Sequence, residues 1–172
     1  MAVHIIIDGY NLIKRSPILS RFDQIGLQKA RDELIKRLAL YRRAKKHRVT
    51  VVFDGHREGG IRQERTKDKG IDIIFSKKGE QADSVIKKIA EAKKEQVLVV
   101  TSDNEVADFS KRRGAVIVSS EDFEMRMDIS SSSEDSDFDN KPFVESIHTK
   151  KKGPSKRLKK SLRKSNIRIK KL

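Results

Sequence analysis

HIIIDGYNLI, residues 4–13, decides how this chain is read. Val3 to Ile7 is a β-branched run closed by Asp8-Gly9, which predicts a fully buried strand of a parallel sheet. Such a strand ends here on a carboxylate, with Asn11 three residues later. Asp-Gly after a strand is an ordinary turn. It is also a way to deliver a carboxylate to the rim of a sheet with little conformational freedom.

The same punctuation recurs along the chain. Arg48–Phe53 (RVTVVF) predicts a second strand ending at Asp54-Gly55, and Gln96–Thr101 (QVLVVT) predicts another, ending at Ser102-Asp103-Asn104. Ile71–Phe75 and Ala115–Val118 read as two further strands. Between them, Leu27, Ala30, Leu34, Leu38 and Tyr41 recur at three- and four-residue steps, which predicts a helix over 27–46. Helices are also expected over 82–94 and 105–113, with Gly114 as the stop of the latter. A short last helix opens at Ser119-Ser120-Glu121-Asp122, where Ser120 is the expected cap. His56–Gly70 is polar, basic and glycine-punctuated and reads as a loop. The order β-α-β-β-α-β-α-β-α predicts an α/β fold: an open, mainly parallel sheet with helices on both faces.

Composition narrows the function. The 172 residues include no cysteine, which excludes a disulfide scaffold, a thiolate zinc site and a cysteine nucleophile. No apolar run approaches the roughly 20 residues that span a bilayer, and no signal-type segment opens the chain, so a soluble cytoplasmic protein is expected. The net charge of +15 is unevenly spread: +8 over residues 1–127, −5 over 128–140 and +12 over 141–172. The expected organisation is one domain over 1–127, a disordered acidic serine-rich linker over 128–140 and a basic tail, disordered or weakly helical, over 141–172. Such a tail suits a phosphate backbone, because neutralising it releases counterions. A membrane surface is the competing partner.

Ligands of open α/β sheets bind at the carboxyl ends of the strands. Asp8, Asp54 and Asp103 end strands, and Asp83 opens a helix that follows one, so the fold would gather all four at one edge. Several carboxylates in one cleft persist best around a cation, and oxygen donors suit Mg²⁺. Asn11 would orient water or the Asp8 side chain, and Gly9 would let the backbone approach a phosphate. Each position also has a local explanation: a turn for Asp8 and Asp54, the helix dipole for Asp83, an N-cap for Asp103. Only their joint placement favours chemistry. No GxxxxGK[ST] loop is present, which argues against NTP binding.

IIIDGYNLI, VVFDGH, GIDIIFSKKGEQADSVI and VVTSDNEVADFSKRRGA together resemble the YacP-like branch of the NYN domains, which belong with the PIN-like nucleases. The resemblance covers about residues 1–127. It implies a three-layer α/β/α PIN-like sandwich and divalent-metal endoribonuclease activity. Position by position it places the acidic site on Asp8, Asp83 and Asp103, with Asn11 beside them, and puts Asp54 in an FDG motif typical of the branch. Asp54 and Ser102 are expected to support the site. Relatives that cut messenger RNA on translating ribosomes make RNA, and the ribosome, the expected partners.

The leading expectation is therefore an RNA endonuclease using Mg²⁺ or Mn²⁺ held by Asp8, Asp83 and Asp103. Metal-activated water would attack in line and leave a 5′-phosphate. Arg57, Arg62, Arg65, Lys67 and Lys69 would grip the RNA backbone, and the basic tail would add nucleic-acid affinity. The alternative is a non-catalytic RNA-binding or ribosome-docking module built on the same scaffold. A phosphoacceptor regulator would also gather aspartates at strand ends, but the paired acidic residues it needs after the first strand are missing.

Overall fold

The structure, a computed structural model, describes residues 3–55, 62–132, 168–170 and 172. Six strands form one sheet in the order β3-β4-β2-β1-β5-β6. They are β1 (His4–Asp8), β2 (Arg48–Phe53), β3 (Glu64–Asp68), β4 (Ile71–Phe75), β5 (Val97–Val100) and β6 (Val116–Val118). All pairings are parallel except β3 with β4. The helices are α1 (Gly9–Arg15), α2 (Leu19–Ile25), α3 (Leu27–Lys45), α4 (Ala82–Lys93), α5 (Asn104–Arg112) and α6 (Ser120–Ser132).

The α/β sandwich expected from strand and helix order is present. One apolar layer packs Leu34, Leu38 and Tyr41 of α3 with Phe123 and Met127 of α6 beneath Ile5, Ile7, Val51 and Phe53. The other packs Val85, Ile86 and Ala90 of α4 and Val106 of α5 over Ile6, Val52, Ile74 and Val99. Alternate residues of each strand feed opposite layers, so these strands are apolar throughout rather than alternating. α1–α3 and α6 thus lie on one face, α4 and α5 on the other. The connection leaving β1 goes to the first face and that leaving β5 to the second. A crevice opens where such neighbours diverge, and Asp8 and Asp103 stand on its two sides.

Three readings of the sequence need correction. The stretch 56–70 is not all loop, because residues 64–68 form β3. This edge strand has no buried residue and therefore no apolar alternation to betray it. Its hairpin turns at Lys69-Gly70, both at positive φ (47° and 84°), the geometry of a two-residue turn. The segment between β1 and the long helix carries two short helices, α1 and α2, too brief to show periodicity. The body does not stop near residue 127, since α6 runs to Ser132. Asp128 pairs with Arg37 of α3, and Ser130 Oγ donates to the Arg126 carbonyl at 2.8 Å.

The end of the chain also joins the body. Leu172 is buried, and its carbonyl accepts from Tyr41 Oη at 3.3 Å, while Arg126 donates to the Ile169 carbonyl at 3.2 Å. The rest of the expected linker and tail, 133–167 and 171, lies outside the described residues. Among the described residues no helix is long and apolar enough to cross a membrane.

Candidate active site

Asp8 is the last residue of β1 and the N-cap of α1, its Oδ1 accepting the Asn11 N–H at 3.2 Å. It is 7% exposed. Burial pushes its carboxyl up to about 6; the Asn11 N–H opposes this, Asp83 and Asp103 add to it, and Lys14 lowers it. Gly9 meets a packing demand. A Cβ there would stand 2.3 Å from Phe53 Cε1, so the glycine lets the start of α1 lie directly on β2.

Asp103 ends the β5 segment and caps α5. Its Oδ1 accepts from the N–H groups of Glu105 (2.8 Å) and Val106 (3.0 Å), and its own N–H donates to Thr101 Oγ1 at 3.1 Å. Asp83 is the second residue of α4 and is half-buried. A carboxylate in a first helical turn is ordinarily stabilised as the anion. Here the carboxyl is shifted upward, first by burial, then by Asp103, with Glu105 and Asp54 adding and Lys87 opposing. Asp54 follows β2, where Gly55 N–H donates to Ser76 Oγ at 2.9 Å and anchors the turn. The fold thus brings Asp83 into electrostatic range of Asp8, Asp103 and Asp54, and Asp8 into range of Asp103, at the carboxyl ends of the strands.

The Asn11 side-chain oxygen accepts from the Ser102 N–H (3.0 Å) and the Ser120 hydroxyl (2.8 Å). It ties α1 to the end of β5 and the start of α6, while the Asn11 backbone N–H holds Asp8. Ser120 is accordingly not the cap of α6; Ser119 Oγ accepts the Asp122 N–H instead, at 3.1 Å. Ser102 Oγ accepts from Ser120 N–H (3.0 Å) and donates to Glu121 (2.6 Å), and this bond holds the Glu121 carboxyl below its usual range. Thr101, Ser120 and Glu121 thus complete the crevice wall. No local signal marks them, because Asn11 and Ser120 are 109 residues apart.

Of the expected RNA-gripping residues, Arg57 lies outside the described residues. Arg62 is exposed just before β3, Arg65 and Lys67 are on that strand, and Lys69 is in its turn. They form part of an edge hairpin rather than a loop.

The donor set is carboxylate oxygen, which suits a hard divalent ion. Among the described residues no three Asp, Glu or His side chains gather into a group able to hold an ion by themselves. An ion bound there would draw only part of its shell from these side chains and would keep water for the rest, as Mg²⁺ usually does. A cation there would relieve the repulsion and burial that raise Asp8 and Asp83.

Comparison with known proteins agrees with this fold. The model of the YacP-like NYN domain family matches residues 5–171, so the match runs on into the C-terminal segment. YacP of Bacillus subtilis strain 168, described as an uncharacterised protein, is 37% identical over 102 residues, 58% of this chain and 59% of that protein. The chain thus matches less than two thirds of that relative's length. The crystal structure of Rae1 (YacP) from Bacillus subtilis superposes with a TM-score of 0.63 at 32% identity, covering 78% of each chain. A mutant form of the same protein gives a TM-score of 0.67 at 29% identity, over 77% of this chain and 79% of that one.

Proposed function

The chain belongs to the YacP-like NYN domain family, whose character is nuclease-like and RNA-related, and from that premise we propose that it is a divalent-metal-dependent endoribonuclease. The observation that supports the reading is the upward shift of two carboxyls at the ends of the strands, with Asp83 and Asp103 adding to the shift of Asp8 and Asp103 to that of Asp83. Two carboxyls shifted upward in one cleft are a cost to folding, and they mark a functional site more often than a structural one.

Asp8, Asp83 and Asp103 would hold Mg²⁺ or Mn²⁺. When bound, such an ion would neutralise the phosphodiester and acidify a water for in-line attack. The chain's own residues set the geometry. Capping bonds fix the Asp8 and Asp103 side chains, each through Oδ1, and leave Oδ2 as the oxygen for a ligand. Asn11 holds the ends of β1 and β5 together. Lys87, ion-paired with Glu105 at 2.5 Å, and Lys14 moderate the negative field near the site.

The substrate would be RNA, with messenger RNA on ribosomes as the setting and the cytoplasm as the location. The basic tail would add affinity through its 13 Lys/Arg. Because Leu172 packs on Tyr41, the tail is better tested by replacing Lys150, Lys151 and Lys152 with Gln than by deleting it. A reduced salt slope of RNA binding is expected.

The test is cleavage of a long RNA with Mn²⁺, Mg²⁺ or EDTA, wild type beside Asp8→Asn. Metal-dependent cutting that leaves a 5′-phosphate and disappears in the variant is expected. A 2′,3′-cyclic phosphate product would overturn hydrolysis by metal-activated water. A second reading, a non-catalytic RNA-binding module, is favoured by one observation: Asp8 and Asp103 are both helix caps, which gives each a structural reason to be present. Cleavage absent under all conditions, ribosomes included, with RNA binding intact would select it.

A further inference from the structure

On the α4 face of the sheet, away from the aspartates, lies a cavity of about 430 Å³. It sits between α4 and the β4–β3 hairpin and reaches the N-terminal ends of β1 and β2. That volume is in the range of small-ligand sites. Its rim carries Arg48, Arg65, Lys88 and Lys93, and its acidic lining residue is Asp72. Its apolar lining includes buried Ile74, half-buried Ile89 and exposed Ala92, with Thr50 alongside. Four cations beside apolar surface match a phosphate joined to a planar base better than they match a lone anion.

The acids nearby are already engaged. Asp72 pairs with Arg48 at 3.1 Å, and Glu80 pairs with Lys88 at 2.5 Å. The Arg48 and Lys88 side chains are 63% and 71% exposed, against 29% and 11% for Asp72 and Glu80, so each cation keeps a solvent-facing side for a further anion. His4 forms the inner wall, its Nε2 2.9 Å from Thr50 Oγ1. Burial first, then Arg48 and Lys93, push its pKa down to about 4, against Asp72. The ring is therefore neutral at pH 7, a hydrogen-bonding wall rather than a further cation.

The position relates the cavity to the crevice. Lys88 is five residues beyond Asp83 on α4, about 7.5 Å along the helix axis. Arg65 is in register with Ile74, one residue short of the C-terminal end of β4. The basic rim thus runs along α4 toward the N-terminal ends of β1 and β2, with Arg65 on the side nearer the C-terminal end of β4.

We propose that this groove binds one nucleotide unit of the RNA strand that runs on from the scissile phosphate, its phosphate among Arg48, Arg65, Lys88 and Lys93 and its base against Ile74, Ile89 and Ala92. The proposal rests on RNA being the substrate. It names a route along α4 that is separate from the exposed turn of the β3–β4 hairpin.

The test uses the full chain in EDTA, with a fluorescent single-stranded oligoribonucleotide. The double variant Arg65→Gln, Lys93→Gln is compared with Lys29→Gln, Arg43→Gln, which removes two exposed charges from α3 on the opposite face. The groove variant is expected to weaken binding about tenfold and to lower the salt slope by about 0.7, the value for one phosphate contact on a single strand. The α3 variant is expected to lose less than about twofold. In parallel, the His4 ring and Thr50 amide resonances are expected to shift on titration with the oligonucleotide, and not with inorganic phosphate at equal ionic strength. Equal losses in both variants, no loss in either, or no binding by wild type would overturn the groove. Wild-type cleavage with unimpaired binding by the groove variant would reject the groove and leave the nuclease standing. Groove-localised binding with no cleavage would do the reverse.

Discussion

The side-chain oxygen of Asn11 accepts the backbone N–H of Ser102 at 3.0 Å, joining the first turn of α1 to the loop that carries Asp103. The same oxygen takes the Ser120 hydroxyl. One amide therefore closes the crevice wall from three segments. Asn11→Ala leaves the Ser102 N–H unsatisfied, and a loss of about 1–3 kcal/mol is expected in urea unfolding. A variant as stable as wild type would show that water replaces the amide at no cost.

Gly9 admits no side chain without movement of Phe53. Gly9→Ala places a methyl group 2.3 Å from its ring, and the ring is itself held between Tyr10 (5.1 Å) and Phe75 (5.5 Å). Overpacking of about 1–3 kcal/mol is expected, read as a lowered denaturation midpoint. If Gly9 served only to admit a phosphate, Gly9→Ala would lose RNA cleavage and keep its stability.

Asp8 makes stability depend on pH. Its carboxyl rises from 3.8 to about 6 on folding, so the folded chain prefers the protonated form. That contribution is complete below about pH 4 and is lost as pH rises through 6. The difference of about two pH units corresponds to about 3 kcal/mol. Asp8→Asn keeps a good cap and removes the charge. In EDTA at pH 7.5 it is expected to be the more stable protein by up to that amount, with the advantage gone at pH 4. His4, whose pKa is lowered, has the opposite slope, but it is common to both proteins and cancels in the difference. Mn²⁺ should raise the melting temperature of wild type more than that of the variant, since only a site that binds the folded state stabilises it.

Asp103 separates capping from catalysis. Asp103→Asn retains an N-cap acceptor for Glu105 and Val106, so stability is expected to change by less than about 0.5 kcal/mol while metal-dependent cleavage is lost. Asp103→Ala should lose cleavage and, in addition, about 1 kcal/mol of stability. Full cleavage by the Asn variant would leave Asp103 as a cap alone.

Much of the fold was legible because burial on both faces writes itself into consecutive residues. Ile5-Ile6-Ile7, Val49 to Phe53 and Val97 to Val100 are apolar runs bounded by turn residues, and all are core strands. The strand β3 was not legible, since Glu64-Arg65-Thr66-Lys67-Asp68 buries nothing and is held by backbone bonds to β4. The helices α1 and α2 were too short to repeat a period. The aspartates could be picked out by position, at the ends of buried strands and at a helix start. The task of Asn11 could not, because its partners lie 91 and 109 residues away.

By itself, then, the sequence determined the layers of this protein, the edge at which its carboxylates gather and the family it resembles. Those follow from hydrophobic period and local turn chemistry, which are short-range. Only the tertiary structure decided that Asp8 is buried with its carboxyl raised, that Gly9 exists for Phe53, that Asn11 is a clasp and that a basic groove runs along α4. Each of these depends on which distant side chains share a low-dielectric space. Their mutual distances are set by the packing of helices on the sheet, which no local pattern records.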